Sequence, residues 1–209
     1  MKNTICGLIA AASFCGIASA NQVVNGDFQT GALGPSTSTY ALDNTMYPPA
    51  TWNIVSYDTL HGSWVDFYDH TYGDERGWYM IVNGTDQGLG PAWAQTVSVT
   101  ANTDYTLSGW FATLIQLAPA SLEFRVNGVT ISPAFSAPTN AATWEQRSVS
   151  FNSGNLTSLS IEIWDTNQVF SGNDYAIDDI SLEAVPAPGS IALAGGAGLV
   201  MVRRRRAEL

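Results

Sequence analysis

A period of two, with apolar and polar residues alternating in short runs, dominates residues 21–185. Such alternation is typical of β-strands that bury one face, whereas a helix repeats its apolar positions every three to four residues. Turn residues separate the runs, and Asn127-Gly128 is a signal for a two-residue hairpin. The runs are Trp93–Val99, Tyr105–Phe111, Leu122–Val126, Val129–Ile131, Arg147–Phe151, Leu159–Trp164 and Tyr175–Leu182. We therefore predict an all-β fold, an antiparallel β-sandwich whose strand count fits a jelly roll.

The charge and cysteine content of residues 21–185 exclude several kinds of function. Residues 21–185 contain three arginines, no lysine and 17 acidic residues, a net charge of −14. A surface of this kind repels phosphate backbones, which excludes nucleic acid as a partner. Both cysteines, Cys6 and Cys15, lie within the first twenty residues, so the region has neither a disulfide nor a thiol site. Its length of about 165 residues suits one domain with its own core.

The N-terminus has the three parts of a secretory signal peptide, predicted over residues 1–20. Lys2 supplies the positive start, residues 5–17 are apolar, and Ala18-Ser19-Ala20 places small residues before a cleavage site at Asn21. The alternatives are a buried helix and a lipoprotein acylated at Cys15, although Phe14 stands where a lipoprotein has a small residue. Export is the prediction that the pattern favours.

Residues 185–209 form a second targeting segment. A proline pair, Pro186 and Pro188, precedes the apolar run Gly189–Val202 and then Arg203-Arg204-Arg205-Arg206. The run is about 21 Å long as a helix, short for a bilayer core of about 30 Å. The arginines would hold the end of the chain on the cytoplasmic side of the membrane.

This three-part order resembles the PEP-CTERM sorting signal of certain bacteria. The resemblance implies membrane insertion, recognition by an exosortase-type transpeptidase and cleavage near the prolines. The glutamate that the signal usually has between its prolines is Ala187 here. An ordinary tail anchor is the alternative, and in both cases residues 21–184, the predicted β-sandwich domain, face outward from the cell.

Strand parity predicts that two tryptophans lie outside the core. Leu122, Phe124 and Val126 share one side of their strand, and the same rule places Trp110 and Trp164 among small or polar neighbours. An outward tryptophan is either a platform for a ligand or is covered by a loop, and residues 40–80 are long enough to cover it. That segment is rich in aromatic residues, and we expect Trp52 and Trp64 from it to join Trp110 and Trp164 in ligand binding, since sugar rings stack on aromatic planes.

Several short motifs resemble the galactose-binding-like jelly rolls, especially carbohydrate-binding modules of the xylan- and glucan-binding kind. Asn25-Gly26-Asp27-Phe28-Gln29 opens the domain, YTLSGW follows at Tyr105–Trp110, Trp144 and Phe151 come next, and residues 174–182 close it. The resemblance spans nearly all of residues 21–185. It implies that the opening and closing strands lie side by side at one edge of the sandwich.

The same resemblance implies a structural calcium ion between the first and last strands. Asn25 would supply a backbone oxygen, Gln29 stands where the family has an acidic residue, and Asp178 matches the aspartate of the closing motif. By parity Asp178 shares a side with Ile180 and Leu182 and points inward, where a carboxylate must be paired or bound to metal. The alternative is that backbone N–H groups bind Asp178.

A cluster of acidic residues raises the possibility of catalysis: Asp66, Asp69, His70, Asp74 and Glu75. Two carboxylates on either side of a glycosidic bond can hydrolyse it. A solvated acidic loop or a second calcium loop accounts for the cluster more simply, and the sequence has no GxSxG elbow and no HExxH zinc motif. We predict that the protein is not an enzyme.

Together these features predict an exported, surface-anchored β-sandwich that binds a polysaccharide or matrix glycan. The first alternative is a structural or adhesive matrix protein with no small ligand. The weaker alternative is a glycan-degrading enzyme.

Overall fold

A computed structural model describes residues 20–167, 169 and 171–186, and its compact unit spans Ala20–Val185. The predicted signal peptide and all but the first two residues of the predicted sorting signal lie outside the described residues. The described part is built from β-strands and loops, without a helix. Its strands are β1 Ala41–Leu42, β2 Thr51–Val55, β3 Tyr79–Asn83, β4 Trp93–Ser98, β5 Asp104–Thr113, β6 Ser121–Val126, β7 Val129–Thr130, β8 Phe135–Ser136, β9 Glu145–Asn152, β10 Ser158–Asp165 and β11 Tyr175–Ala184.

The strands form two sheets. One sheet has the order β1-β2-β3-β11-β5-β9, and the other has the order β4-β10-β6-β7 with β8 also paired to β6. Every strand pair is antiparallel except β1 with β2. This is the predicted antiparallel β-sandwich of the jelly-roll kind. Within the described residues, no helix is long and apolar enough to cross a membrane.

The main core lies between the sheets and confirms the predicted strand faces. Leu122 and Phe124 of β6 and Ile161 of β10 are fully buried in it, opposite Leu107 and Phe111 of β5. Burial of these side chains is the main source of stability for a domain without disulfides. The Asn127-Gly128 hairpin is confirmed as well. Both residues have positive φ, 49° and 77°, the geometry of a type I′ turn between β6 and β7.

The segment 40–80 forms a second apolar layer on the outer face of the six-stranded sheet. Trp64 and Phe67 from this segment pack on the outward side chains Tyr79, Ile81 and Ala112. The predicted loop cover of this sheet is therefore correct. Short strands also lie within the segment, namely β1, β2 and the start of β3. Buried on both faces, β3 reads as an apolar run without alternation.

The opening segment lies beside the second half of β11, as the resemblance implies. The Gln22 N–H donates to the Leu182 carbonyl, and the Ile180 N–H donates to the Gly26 carbonyl, both at 2.9 Å. This contact is so close that a Cβ on Gly26 would lie 2.1 Å from the Ile180 carbonyl oxygen. The closing strand β11 is not itself an edge strand, because β3 and β5 are its neighbours in the sheet.

Candidate functional site

A β-bulge in β11 decides which side chains reach the outer face of the six-stranded sheet. The register with β5 shifts between Asp178 and Ser181, and Asp179 has a φ of 45°. Asp178 therefore lies opposite Trp110 on the outer face, whereas Ile180 and Leu182 stay in the core between the sheets. The prediction that Asp178 points into that core is wrong, because the inserted residue breaks the period of two.

Asp178 is nevertheless fully buried, because the segment 69–71 covers it. Its carboxylate accepts hydrogen bonds from the backbone N–H groups of His70 at 2.8 Å, Thr71 at 3.3 Å and Asp179 at 2.8 Å. Burial, followed by the neighbouring charge of Asp179, raises the pKa of Asp178 to about 8. These partners agree with the alternative to calcium given above, in which backbone N–H groups bind Asp178.

The other two predicted calcium ligands have partners of their own. The backbone carbonyl of Asn25, the predicted ligand, accepts a hydrogen bond from the Phe28 N–H at 3.2 Å. The Gln29 amide nitrogen donates to the carboxylate of Asp69 at 3.1 Å. The described residues contain no group of three or more His, Cys, Asp or Glu side chains placed to hold a metal. Calcium therefore stays a prediction from the resemblance.

Trp110 is half-buried, and one face of its indole is already occupied. The His70 imidazole stacks on it with ring centroids 3.6 Å apart and an interplanar angle of 18°. His70 is fixed there by a 2.6 Å contact between its Nδ1 and Oδ2 of Asp179, and Thr71 Oγ1 donates to the other oxygen of Asp179. The tryptophan thus combines the two predicted situations, since a loop covers part of it and the rest borders a cleft.

That cleft has a volume of about 360 Å³ and lies between the opening segment and the strands β5, β9 and β11. Trp110 forms its aromatic wall. The polar side chains that line it come from three parts of the chain: Asn21, Asn25 and Asp27 from the opening segment, Ser108 and Gln146 from β5 and β9, and Asp179 and Ser181 from β11. An aromatic wall beside amides, hydroxyls and carboxylates is suited to a polyhydroxylated ligand.

Trp164 lies on the opposite side of the molecule. It projects from the outer face of the five-stranded sheet, and the guanidinium of Arg125 lies 3.9 Å from the centre of its ring. Its indole N–H donates to Glu162 at 2.7 Å. Trp110 and Trp164 belong to different sheets and both point away from the core, so they do not form one platform.

The two predicted tryptophans of the segment 40–80 also lie apart from Trp110. Trp52 packs against the core between the sheets, and its indole N–H donates to the Tyr40 carbonyl. Trp64 is 8% exposed, and its indole N–H donates to the carboxylate of Asp174 at 3.0 Å. Both rings anchor the fold.

Trp64 nevertheless borders a second cleft, of about 280 Å³. The ring of Tyr47 lies 4.4 Å from that of His61, which stacks on Trp64 at 4.7 Å. Burial raises the pKa of Asp174, which closes one side of this cleft. The sequence shows that the segment is rich in aromatic residues but does not predict the contact between Tyr47 and His61.

The acidic cluster considered for catalysis serves the loop itself. Asp69 is buried and accepts hydrogen bonds from the N–H groups of Tyr72 and Gly73. Asp66 accepts hydrogen bonds from the N–H and hydroxyl groups of Thr59, and Asp74 pairs with Arg76. These contacts support the interpretation of the cluster as loop structure.

Comparison with solved structures defines the class of fold: a jelly-roll β-sandwich of the carbohydrate-binding-module type. A family 61 carbohydrate-binding module in complex with β-1,4-galactotriose matches with a TM-score of 0.52 and 16% identity, over 80% of this chain and all of the module. The tandem family 22 modules of Paenibacillus barcinonensis Xyn10C match with a TM-score of 0.57 and 13% identity, over 84% of this chain and 48% of the tandem.

The same architecture occurs in an enzyme. The Stig cyclase Fisc from Fischerella sp. TAU matches with a TM-score of 0.53 and 17% identity, over 81% of this chain and 99% of the cyclase. No family model matches the chain, and no curated protein matches it either. At these identities the likeness establishes the fold, and the function has to be argued from the site.

Proposed function

We propose that this protein is a non-catalytic carbohydrate-binding protein whose site is the cleft beside Trp110. The observation that carries the proposal is that one cleft is lined both by Trp110 on the outer face of the sheet and by polar side chains of the opening segment. The apolar C–H face of a sugar would pack against the indole, and the amides of Asn21 and Gln146 would hydrogen-bond with its hydroxyls. The module solved with β-1,4-galactotriose supports the class of ligand.

The targeting segments support a location outside the cell. Residues 1–20 have the order of a signal peptide, and residues 185–209 resemble a PEP-CTERM signal. We infer that the domain is exported, is held at least transiently in a membrane by its C-terminal segment, and is a substrate of an exosortase-type enzyme. At the cell surface, or in the surrounding matrix, its partner would be a polysaccharide or matrix glycan.

One observation favours the second candidate, a structural or adhesive matrix protein without a small ligand. His70 already stacks on one face of Trp110, where a platform for sugars would be open. In that case the cleft is a by-product of packing the segment 40–80 onto the sheet, and the protein contributes to the matrix through its outer surface.

Affinity electrophoresis of the purified full-length protein tests the proposal, in gels that contain xylan, β-1,4-galactan or hydroxyethylcellulose. We expect at least one polymer to retard the protein, and the retardation to fall in Gln146→Ala, since Gln146 is exposed and lines the cleft. Thr96→Ala, on the outer face of the other sheet, is the matched control and should behave as wild type. Unchanged mobility in every gel would favour the matrix protein.

A further inference from the structure

The outer face of the six-stranded sheet continues beyond the Trp110 cleft as a ladder of short polar side chains. The register pairs Trp110 with Gln146, Ser108 with Ser148, Thr106 with Ser150 and Asp104 with Asn152. Ser181 and Glu183 of β11 lie beside Ser108 and Thr106 in turn. We call this set the polar ladder: Asp104, Thr106, Ser108, Gln146, Ser148, Ser150, Asn152, Ser181 and Glu183.

Hydrogen bonds between strands hold the rungs of the polar ladder. Thr106 and Ser150 bond through their hydroxyls at 3.1 Å, Ser108 and Ser181 do so at 2.9 Å, and Asn152 donates to Asp104 at 2.7 Å. The β9 members of the ladder are exposed along the whole strand. Side chains this short leave the sheet face open, and their mutual bonds fix their orientation in advance, which lowers the entropic cost of binding.

The length of the polar ladder distinguishes an extended ligand from a compact one. Trp110 lies six positions after Asp104 on β5, which is roughly 20 Å at about 3.4 Å per residue. A disaccharide in the Trp110 cleft would leave most of this surface unused. A polysaccharide chain that follows the strands would reach hydroxyl or amide groups at every second residue.

The charges around the polar ladder indicate which kind of polysaccharide chain can bind there. Asp179 and Asp27 stand at the cleft, and Asp104 and Glu183 are exposed on the ladder. The three arginines of the described residues are paired with acidic side chains away from the ladder: Arg76 with Asp74, Arg125 with Glu123, and Arg147 with Glu145. Arg147, although on β9, alternates with the ladder residues and faces the Ser136 carbonyl on the other side. Apart from His70, which already contacts Asp179, a carboxylated or sulfated glycan would meet carboxylates with no arginine beside them.

We propose that the polar ladder holds an extended, uncharged glycan chain, one end of which lies in the Trp110 cleft. This inference rests on the proposed function and adds the length and charge of its ligand. The carboxylates of the ladder select against anionic polymers, and the rows of hydroxyls give the chain its contacts beyond the first sugar.

The length of the site is tested with a variant that obstructs its far end. Ser150→Trp places a bulky ring on an exposed strand position, and Ser158→Trp does the same on the outer face of the other sheet as control. In gels that contain xylan, β-1,4-galactan or hydroxyethylcellulose, we expect Ser150→Trp to lower the affinity for the bound polymer about tenfold. Its affinity for the corresponding disaccharide, measured by calorimetry, should match that of wild type. Equal affinity of wild type and Ser150→Trp for the polymer would overturn the proposal.

The charge preference is tested with two polymers that share a backbone, hydroxyethylcellulose and carboxymethylcellulose. We expect carboxymethylcellulose to retard the wild type less, and the double variant Asp104→Asn, Glu183→Gln to reduce that difference. Equal retardation of the wild type by both polymers would overturn the charge preference while leaving carbohydrate binding in place. Failure of every polymer to retard the protein would overturn the proposed function and this inference together.

Discussion

His70 lies flat on Trp110, and Asp179 holds its imidazole from the side through the 2.6 Å contact to Nδ1. These contacts connect the loop 69–73 to the bulge of β11, and the backbone of the same loop also donates hydrogen bonds to Asp178. The wall of the cleft is thus a composite of a strand residue and a loop residue. Its geometry depends on the bulge as much as on the tryptophan.

Replacing His70 tests this dependence. His70→Ala removes the ring stack and the bond to Asp179, so we expect the free energy of unfolding to fall by about 1–2 kcal/mol. His70→Phe keeps a ring on Trp110 but not the bond, and should lose about half as much. Urea unfolding measures both variants, and a His70→Ala protein as stable as wild type would show that the stack contributes nothing.

Gly26 tests the packing of the opening segment on β11. A Cβ at this position would meet the Ile180 carbonyl oxygen at 2.1 Å, so Gly26→Ala must push the two segments apart. We expect a loss of about 1–3 kcal/mol, as for other overpacked sites. Gly62→Ala is the control, since the nearest atom to its Cβ would be the Tyr47 hydroxyl at 3.5 Å. Equal stability of the two variants would contradict the close contact seen here.

Asp165 gives the domain a pH dependence. Burial raises its pKa from 3.8 to about 7 against the opposing hydrogen bonds from Asn167 and Asn173. Between these two values the folded state retains a proton that the unfolded state has lost, so the contribution of Asp165 to stability falls as the pH rises through this window. The contribution is fully present below the lower value.

Asp165→Asn checks that sign by removing the titrating group while keeping a side chain of the same shape. The variant should match wild type in urea midpoint near about pH 4 and should exceed it near about pH 8, where the wild type must ionise a buried group. Asp174 and Asp178, whose pKa values are also raised, still titrate in the variant. A variant whose midpoint falls more steeply with pH than that of wild type would contradict the assignment.

Calcium is tested by thermal melting in millimolar calcium chloride and in chelator. A bound ion would raise Tm by mass action. Because Asp178 already accepts three backbone N–H groups, and because Gln29 lacks the charge of the family's acidic residue, we expect the two melting curves to coincide. A Tm several degrees higher in calcium would show instead that the ion displaces these donors, as the resemblance implies.

The strand faces were predictable from the sequence because alternation survives wherever a strand buries one side. Strands β5, β6 and β10 follow the predicted parity, and the Asn127-Gly128 turn has the predicted positive φ values. Strand β3 was not found, because burial on both faces removes the alternation. Asp178 was assigned to the wrong side because one inserted residue at a bulge inverts the parity beyond it.

The candidate site was predictable only in its main residue. Parity correctly placed Trp110 outside the core, and the length of segment 40–80 correctly predicted a cover for the sheet. Contacts between side chains far apart in the chain cannot be predicted from a single sequence. His70 stacks on Trp110 because of loop packing, and Arg125 lies on Trp164 because of the sheet register. The predicted platform is divided because Trp110 and Trp164 lie on the outer faces of different sheets.

The most direct measurement is a crystal structure of the protein with a neutral oligosaccharide of the polymer that retards it in affinity gels. We expect a sugar against Trp110, hydrogen-bonded to Asn21 and Gln146, with the following sugars over Thr106 and Ser150. A sugar bound instead beside Trp164, or in the cleft of Tyr47 and His61, would contradict it.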